Sequence, residues 1–223
     1  MTKHIYSIPV NQAYSLLDIG ATCVVSARYQ NDFNAMPANW FAPVNYDPFY
    51  ATIVMEMSHY TRQLIEKTGY YMIQIPKKKI ADQVLALGST SRHDVNEKMK
   101  NVDLSYITIE GSPVPALRDC VAWVLFRKLP EENEFLNRHE ILMGECIAAW
   151  ARPEAFRDNA WHLHELPERD RPVHFVKGAC YVVGCTEETK MITPVACKPD
   201  ENALKAKIHP YEVRLFEPGE TNA

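Results

Sequence analysis

The chain has 223 residues, of which 47% are hydrophobic, 23% charged and 10% aromatic. These are ordinary values for a globular protein, and they exclude a disordered or fibrous chain. The formal net charge is -4 at pH 7, so the sequence lacks the basic excess that binding to a nucleic acid backbone needs. No segment approaches the roughly 18 consecutive apolar residues of a membrane span, and the N-terminus lacks the apolar core of a signal peptide. We therefore expect a cytoplasmic protein that binds neither nucleic acid nor membrane.

The N-terminal part of the chain indicates β-strands. Residues 21–28 are rich in small and β-branched side chains, which favour a strand. After a polar turn, the segment 35–44 carries Pro37 and Pro43, and these two prolines exclude a helix. A further apolar strand is predicted over residues 50–57. The pattern therefore predicts a hairpin-like start.

The hydrophobic period changes to that of a helix after this strand. Ser58 is a candidate N-cap and Gly69 a stop signal, which predicts a two-turn helix between them. An apolar strand over residues 70–76 follows, and then a short amphipathic helix over 80–87.

A second short helix is predicted over residues 92–100. Ser91 and Asp94 are three residues apart at its start, which is the spacing of a capping box. Gly88 separates this helix from the one before it.

The C-terminal half returns to β-structure. Residues 116–129 and 140–151 are predicted as long strands of an antiparallel hairpin, and residues 179–184 as a third strand. No internal repeat or long linker divides the chain, so one domain is expected over residues 1–223. Six or seven strands with short helices between them favour a mainly β fold, built as a closed or partly closed barrel.

The cysteines and histidines do not form a recognised metal-binding pattern. The six cysteines lie mostly in apolar stretches and never as CxxC, so we expect reduced, buried thiols instead of disulfides. Only His162 and His164 form a close histidine pair, without a cysteine or carboxylate at a zinc-binding spacing. No metal site is therefore predicted.

Two segments have the composition of a ligand site. A helix start over residues 58–61, followed by Arg62, offers unpaired N–H groups, hydroxyls and a cation for a phosphate. The alternative for this segment is a plain N-cap with a solvated arginine. Residues 34–40 could hydrogen-bond a planar heterocycle and stack on it, although Trp40 taken alone is more often a core residue.

Motifs for nucleophilic or metal-assisted catalysis are missing. The sequence has no GxSxG, Walker loop or HExxH, and no GxGxxG after a strand. An enzyme with this sequence therefore depends on a cofactor that brings its own chemistry.

Residues 33–76 strongly resemble the flavin reductase-like family of FMN-binding split-barrel proteins, which includes flavoredoxins. That family typically shows an Asn-x-Met-x-Ala-Ser-Trp segment, an Asp-Pro turn, a strand and a Tyr-Thr helix start. The positions here that are similar to this pattern are Asn34, Met36, Ala38, Trp40, Asp47, Pro48, Ser58, His59, Tyr60 and Thr61. Later segments are similar too: residues 115–121, His139 with Gly144 and Glu145, and residues 173–184. The likeness covers roughly residues 15–185, which leaves 186–223 as a C-terminal extension.

The resemblance implies a homodimeric split β-barrel, Greek-key-like and partly closed, that holds FMN at the dimer interface. Along the flavin ring it implies Asn34, Met36, Ala38 and Asn39, with Trp40 near the ring or packed behind it. At the phosphate it implies Ser58, Tyr60, Thr61 and Arg62.

The activity implied is that of a flavoprotein oxidoreductase, an NAD(P)H-dependent flavin reductase. NADH or NADPH would be the transient hydride donor, and electrons would pass to free flavin, a redox partner protein or another acceptor. One alternative is a non-enzymatic electron carrier of the flavoredoxin type, reduced by a partner protein. The other is a binding protein for haem or another planar ligand, with His59, His139 or His174 as an axial ligand, since a fold does not fix a function.

Overall fold

An eight-stranded antiparallel sheet carries most of the fold. The computed structural model describes residues 5–17, 19–130, 134–176 and 179–182. The strands are β1 (Tyr6–Ile8), β2 (Cys23–Tyr29), β3 (Asp32–Ala38), β4 (Phe41–Tyr46), β5 (Phe49–Val54), β6 (Tyr70–Pro76), β7 (Tyr106–Ile107), β8 (Ala116–Leu117), β9 (Cys120–Lys128), β10 (Ile141–Ala151), β11 (Phe156–Arg157), β12 (Ala160–Trp161), β13 (Val173–Val176) and β14 (Ala179–Val182).

The helices are short and lie between the strands. They are α1 (Tyr60–Thr68), α2 (Ala81–Ser89), α3 (Lys98–Asn101) and α4 (Glu134–Arg138). Segments of 3₁₀ helix span Val10–Leu16, Lys78–Ile80, Leu163–Glu165 and Glu168–Asp170.

The large sheet forms an open path in the order β3-β2-β6-β9-β10-β5-β4, and β1 pairs with β10 beside this path. Three two-stranded sheets, β7-β8, β11-β12 and β13-β14, complete the described part of the chain. The predicted mainly β fold with short helices and a partly closed barrel is confirmed. The prediction of six or seven strands was too low, because it missed several strands of two to four residues.

The two prolines that exclude a helix both lie on edge strands of the sheet. Pro37 is in β3 and Pro43 in β4, at the two ends of the strand order. An edge strand has an unpaired side where the missing N–H of proline breaks no ladder hydrogen bond. Both prolines therefore fit the edge positions of the strands that contain them.

The sheet has a hydrophobic cluster on each face, and strand alternation sorts residues between them. Along β6, Tyr71, Ile73 and Ile75 enter one cluster, and Met72 enters the other. The first cluster includes the apolar side of α1, whereas the second includes the apolar side of α2. Strand β3 contacts both helices. The edge strand β3 thus lies where α1 and α2 converge from opposite faces.

The first predicted helix is confirmed, but its predicted N-cap was wrong. Gly69 ends α1 in the left-handed conformation, with φ at 75°. The N-cap residue is His59, and the N-terminus of α1 has no side-chain cap. Ser58 instead donates its hydroxyl hydrogen to Glu56 at 3.1 Å.

The prediction of a helix over residues 92–100 was wrong for most of its length, because only α3 is helical there. The hydroxyl of Ser91 accepts from the backbone N–H of His93, two residues on, instead of capping Asp94. Asp94, Val95 and Asn96 are also weak helix formers. The segment therefore forms turns before the helix begins.

The predicted hairpins are confirmed. Strand β2 pairs with β3, and β9 pairs with β10 in antiparallel register. The long strand predicted over 116–129 is divided into β8 and β9. β14 confirms the last predicted strand as far as Val182, and residues 183–184 and the extension 186–223 lie outside the described residues.

Three of the six cysteines have described side chains, and these confirm the prediction of free, buried thiols. Cys23, Cys120 and Cys146 are buried and form no disulfide. Burial raises the pKa of each thiol, to about 12 for Cys146, so they are unreactive near neutral pH. Across the described residues no helix has both the length and the apolar character to cross a membrane.

We predict that Gly144→Ala destabilises the fold. A Cβ at this position would lie 2.3 Å from the hydroxyl of Tyr71 and 2.9 Å from its ring carbons. Tyr71 is fully buried and stacks on Phe126, so it cannot move away. Overpacking of this kind costs about 1 to 3 kcal/mol in the free energy of unfolding. Chemical denaturation measures the loss.

Tyr71→Phe is the matched control. The Tyr71 hydroxyl is buried without a hydrogen-bond partner among the described residues, so its removal leaves the stability unchanged or increases it. In the background of Gly144→Ala, the same change should recover part of the loss. Equal stability of Gly144→Ala and the wild type would show that the Tyr71 ring can move aside without cost.

Candidate flavin site

Two neighbouring cavities lie along β3. The larger has a volume of about 650 Å³ and the smaller about 390 Å³. They share the lining residues Pro37, Gly88 and Ser89. The larger cavity is also lined by Asn34, Met36, Ser58, His59, Tyr60, Thr61, Leu87, Thr90, Ser91, Arg92, His93, Asp94 and Lys98. The smaller is also lined by Thr22, Ala38, Asn39, Ala81, Val84, Leu85, Val173 and Phe175.

Most of the residues predicted from the sequence lie at these cavities. The larger cavity holds Asn34, Met36, Ser58, Tyr60 and Thr61. The smaller holds Ala38 and Asn39. The two predicted segments, the first from β3 and the second from the start of α1, therefore meet in space.

Trp40 and Arg62 line neither cavity. Trp40 is 74% exposed between β3 and β4, so the alternative of a core tryptophan was wrong. Arg62 is only 1% exposed, and its Nε donates to Glu66 at 2.5 Å. The alternative of a solvated arginine was therefore wrong as well, and the structure does not bring Arg62 to the cavity.

The N-terminus of α1 opens into the larger cavity. Its first backbone N–H groups have no side-chain cap, and they give this end of the helix a partial positive charge. Next to them, the side chain of Asn34 donates to Thr61 Oγ1 at 2.8 Å. This bond joins β3 to α1 and fixes the Thr61 hydroxyl.

A basic group that sequence reasoning missed faces the same cavity. Arg92, His93 and Lys98 come from the turns after α2 and from the start of α3. Asp32 fixes Arg92 through an ion pair of 3.3 Å and also accepts a hydrogen bond from the Tyr60 hydroxyl. That hydrogen bond raises the pKa of Tyr60, which therefore stays protonated.

Lys98 is the most unusual member of this group. It is 3% exposed, and within the described residues it has no ion-pair partner. Burial and the nearby charge of Arg92 lower its pKa from 10.5 to about 8. Asp94 also lines the cavity, but the cations outnumber it. An anion in this cavity would relieve the repulsion between Lys98 and Arg92.

The two cavities differ in charge. Every residue that lines the smaller cavity is uncharged, and most are apolar. The larger cavity combines cations, hydroxyl groups and a helix N-terminus. The pair therefore suits a ligand with an anionic end and a planar apolar end.

Three residues that line the larger cavity each have a buried polar atom without a hydrogen-bond partner among the described residues. These atoms are Asn34 Oδ1, His59 Nδ1 and Arg92 Nε. Buried polar atoms are nearly always satisfied, so unsatisfied ones at a cavity wall point to a ligand. FMN offers hydroxyl and ring N–H donors as well as phosphate acceptors, and the residues present fit this group.

The missed basic group had a signal in the sequence. Residues 88–93 read Gly-Ser-Thr-Ser-Arg-His, a run of small and hydroxyl residues followed by two basic ones. Such a run supplies the donors and the charge that a phosphate requires. The capping-box spacing in the same segment instead led to the prediction of a helix.

A family model for the flavin reductase like domain matches residues 19–185. This chain belongs to the flavin reductase-like family. The resemblance inferred from residues 33–76 is thereby confirmed.

Solved structures of this flavin reductase-like fold match most of the chain. An FMN-binding domain of a flavin reductases-like enzyme from Shewanella baltica is 30% identical, with a TM-score of 0.79, and the match covers 83% of this chain and 97% of that one. A flavoredoxin of Desulfovibrio vulgaris is 17% identical, with a TM-score of 0.62 and coverage of 86% and 95%. A split barrel domain protein from Shewanella frigidimarina is 14% identical, with a TM-score of 0.63 and coverage of 78% and 88%. The predicted split-barrel fold is therefore confirmed.

The three histidines considered as haem ligands are dispersed. His59 lines the larger cavity, whereas His139 and His174 are exposed and line neither cavity. No observation in the described residues favours haem.

We predict that Lys98→Met stabilises the ligand-free protein at pH 7 by about 1 to 2 kcal/mol, because it removes a buried, repelled cation. The folded state releases the Lys98 proton near pH 8, whereas the unfolded state keeps it up to about pH 10.5. Wild-type stability should therefore rise relative to the variant between these pH values. Urea unfolding at a series of pH values measures both effects.

Lys100→Met is the matched control, since Lys100 is exposed two residues further along the same helix. It should change neither the stability nor its pH dependence. A Lys98→Met protein that is less stable than the wild type at pH 7 would show that the buried ammonium group is not under strain.

Proposed function

We propose that this chain binds FMN without a covalent link and acts as an NAD(P)H-dependent flavin reductase. The observation that carries the proposal is the separation of charge between the two joined cavities. FMN has the same separation, with a phosphate at one end and an apolar tricyclic ring at the other. The Shewanella baltica relative is described as FMN-binding, which supports the same ligand here.

The phosphate is assigned to the larger cavity. There Arg92 and Lys98 supply charge, and the start of α1 supplies backbone N–H groups. Thr61 Oγ1 and the Ser58 hydroxyl lie at the same end. Asp32 holds Arg92 in place, so the cation does not have to be ordered when the ligand binds.

The ring is assigned to the β3 side, along Asn34, Met36, Ala38 and Asn39. The uncharged smaller cavity receives its apolar part, and Asn34 Oδ1 is an acceptor still available for a ligand donor. Trp40 lies outside both cavities and is exposed, so its place near the ring depends on a second subunit. Gly88 lies where the two cavities meet. A Cβ at this position would lie 2.9 Å from Pro37 Cγ, so a glycine allows α2 to pack this closely against β3.

When bound, FMN would supply the redox chemistry, as the group that can take a hydride from NADH or NADPH. The contribution of the protein is to position the ring, exclude water around it and satisfy its polar atoms. The three buried cysteines are unreactive, and no side-chain acid or base is required for hydride transfer. Free flavin, a redox partner protein or another acceptor then takes the electrons.

A homodimer belongs to the same proposal. Val44 and Tyr46 of the edge strand β4, and Trp40 just before it, are large exposed hydrophobic residues. An exposed apolar edge of this kind is a typical surface for association. A second copy that covers it would bury Trp40 and bring it to a flavin.

FMN should bind more than tenfold more tightly than riboflavin. Losing the charge-assisted hydrogen bonds to a phosphate costs about 1.5 to 3 kcal/mol. Arg92→Gln should weaken FMN binding while leaving riboflavin binding unchanged, whereas Thr61→Val should weaken the binding of both flavins, because it also removes the acceptor of the Asn34 side chain. Fluorescence titration of the apoprotein measures the affinities, and Arg28→Gln, an exposed arginine of β2, is the control. Equal affinities of the wild type for the two flavins would refute the phosphate assignment.

Anaerobic mixing with excess NADH or NADPH should bleach the absorbance of bound FMN. Asn34→Ala should slow the bleaching or weaken FMN binding, since a buried ring atom would lose its partner at a cost of about 1 to 3 kcal/mol. His162→Ala, a residue that lines neither cavity, should leave the rate within about twofold. Stopped-flow absorbance measures both. Flavin that stays oxidised for minutes yet is reduced by dithionite would favour the electron-carrier alternative.

Light scattering of the FMN-bound protein at micromolar concentration should give the mass of a dimer. Tyr46→Asp places a charge on the β4 surface and should yield monomers that bind FMN more weakly, because charged groups are costly in a buried interface. Lys100→Glu, an exposed change on α3, should remain dimeric. A monomer mass for the FMN-bound wild type would refute the dimer.

A further inference from the structure

One wall of the smaller cavity is a strap, which we define as residues 168–175. Val173 and Phe175 of the strap line this cavity together with Ala81, Val84 and Leu85 of α2. The strap and α2 therefore enclose the apolar end of the cleft between them. The separation of these two walls limits how thick a planar group can enter.

Hydrogen bonds attach the far end of the strap to Thr22 and Asn39, the residues next to β2 and β3. The backbone N–H of Thr22 donates to Val173 O at 2.9 Å, and the N–H of Phe175 donates to Thr22 Oγ1 at 2.7 Å. Asn39 Nδ2 donates to Phe175 O at 3.3 Å. These bonds fix the strap to the residues that flank β2 and β3. On the α2 side, the backbone N–H of Lys78 donates to Arg171 O at 2.8 Å, which brings the strap next to the segment that leads into α2.

A buried ion pair joins the strap to the start of α2. Lys77 Nζ lies 2.9 Å from Asp170 Oδ1, and the two side chains are only 4% and 10% exposed. Lys77 directly precedes the 3₁₀ segment that leads into α2 at Ala81. Asp170 comes three residues before Val173. The ion pair thus connects the strap to the segment that leads into α2.

A second ion pair joins the same two segments at the surface. Lys78 pairs with Glu168, and their side chains are 43% and 58% exposed. Exposed pairs of this kind contribute little, whereas breaking a buried pair is costly. The chain therefore contains a matched internal control for the buried pair.

We propose that Lys77 and Asp170 are positioning residues that set the separation between the strap and α2, and with it the fit of the flavin ring. The identity of the ligand rests on the proposed function. The link between the ion pair and the strap rests on the Lys77–Asp170 contact and on the hydrogen bonds of Val173 and Phe175. Neither residue lines either of the two cavities described above, so the pair acts through the strap and α2.

The test compares Asp170→Asn with Lys78→Met, using two readouts. The first is hydrogen–deuterium exchange at the amides of Thr22 and Phe175, which needs no ligand. The second is the affinity for riboflavin and for FMN, together with the shape of the visible absorption band of the bound flavin. Asp170→Asn should exchange at least tenfold faster at both amides, bind riboflavin at least tenfold more weakly and alter the band.

The ratio of FMN affinity to riboflavin affinity should stay the same in Asp170→Asn, because the phosphate end is not touched. A general loss of structure would lower this ratio as well. Lys78→Met should match the wild type in every readout. A folded Asp170→Asn protein with wild-type exchange and riboflavin affinity would overturn the proposal, and so would equal effects in Lys78→Met.

Asp170→Glu decides the matter if Asp170→Asn does not fold. It keeps the charge but lengthens the link by one methylene, so it should fold and bind riboflavin at least threefold more weakly. Wild-type affinity and exchange in this variant would overturn the proposal. If the wild type binds no flavin, the proposed function fails, and the exchange rates alone then support or refute the role of the ion pair.

Discussion

The repulsion between Arg92 and Lys98 is the constraint around which the candidate site is organised. Both cations face one cavity, and burial of Lys98 lowers its pKa to about 8. A sequence selected only for stability would have replaced such a lysine with an apolar residue. The arrangement becomes favourable when an anion enters, and the helix N-terminus beside it favours the same charge. The proposed binding of a phosphate would therefore offset the cost in the ligand-free protein.

The scaffold makes this arrangement available through one edge strand. β3 is paired on one side by β2, and its other side lies where α1 and α2 converge. Pro37 suits an edge strand, and Gly88 lets α2 approach that proline closely. The cations come from the turns after α2 and from the start of α3, whereas the hydroxyls and backbone donors come from the start of α1. A single ligand can then contact both helices and the strand.

The sequence predicted the strand β3 and the helix α1 because each has a local signal. Prolines, a polar turn and a stop glycine are read without knowledge of distant residues. The buried position of Arg62 had no such signal, since it depends on a salt bridge to Glu66 and on packing against the sheet. The role of residues 92–98 was missed for a related reason. A capping-box spacing was present, but a competing side-chain hydrogen bond within the turn prevailed.

The ion pair between Lys77 and Asp170 could not be predicted from the sequence. The two residues are 93 positions apart, and each looks like an ordinary surface charge in the sequence. Only the folded chain brings them together and buries them. The proposed role of this pair concerns the shape of the smaller, apolar cavity. The charged groups of the larger cavity come from short segments of the chain, the start of α1 and residues 92–98.

The ³¹P NMR spectrum of the FMN complex, recorded from pH 5 to pH 8, tests the central claim most directly. The second pKa of a phosphate monoester is about 6, so free FMN changes its chemical shift across this range. A phosphate held by Arg92, Lys98 and the start of α1 stays dianionic, and we predict a bound resonance that does not move with pH. A bound resonance that titrates like free FMN, or no bound resonance at all, would contradict the assignment of the phosphate to this cavity.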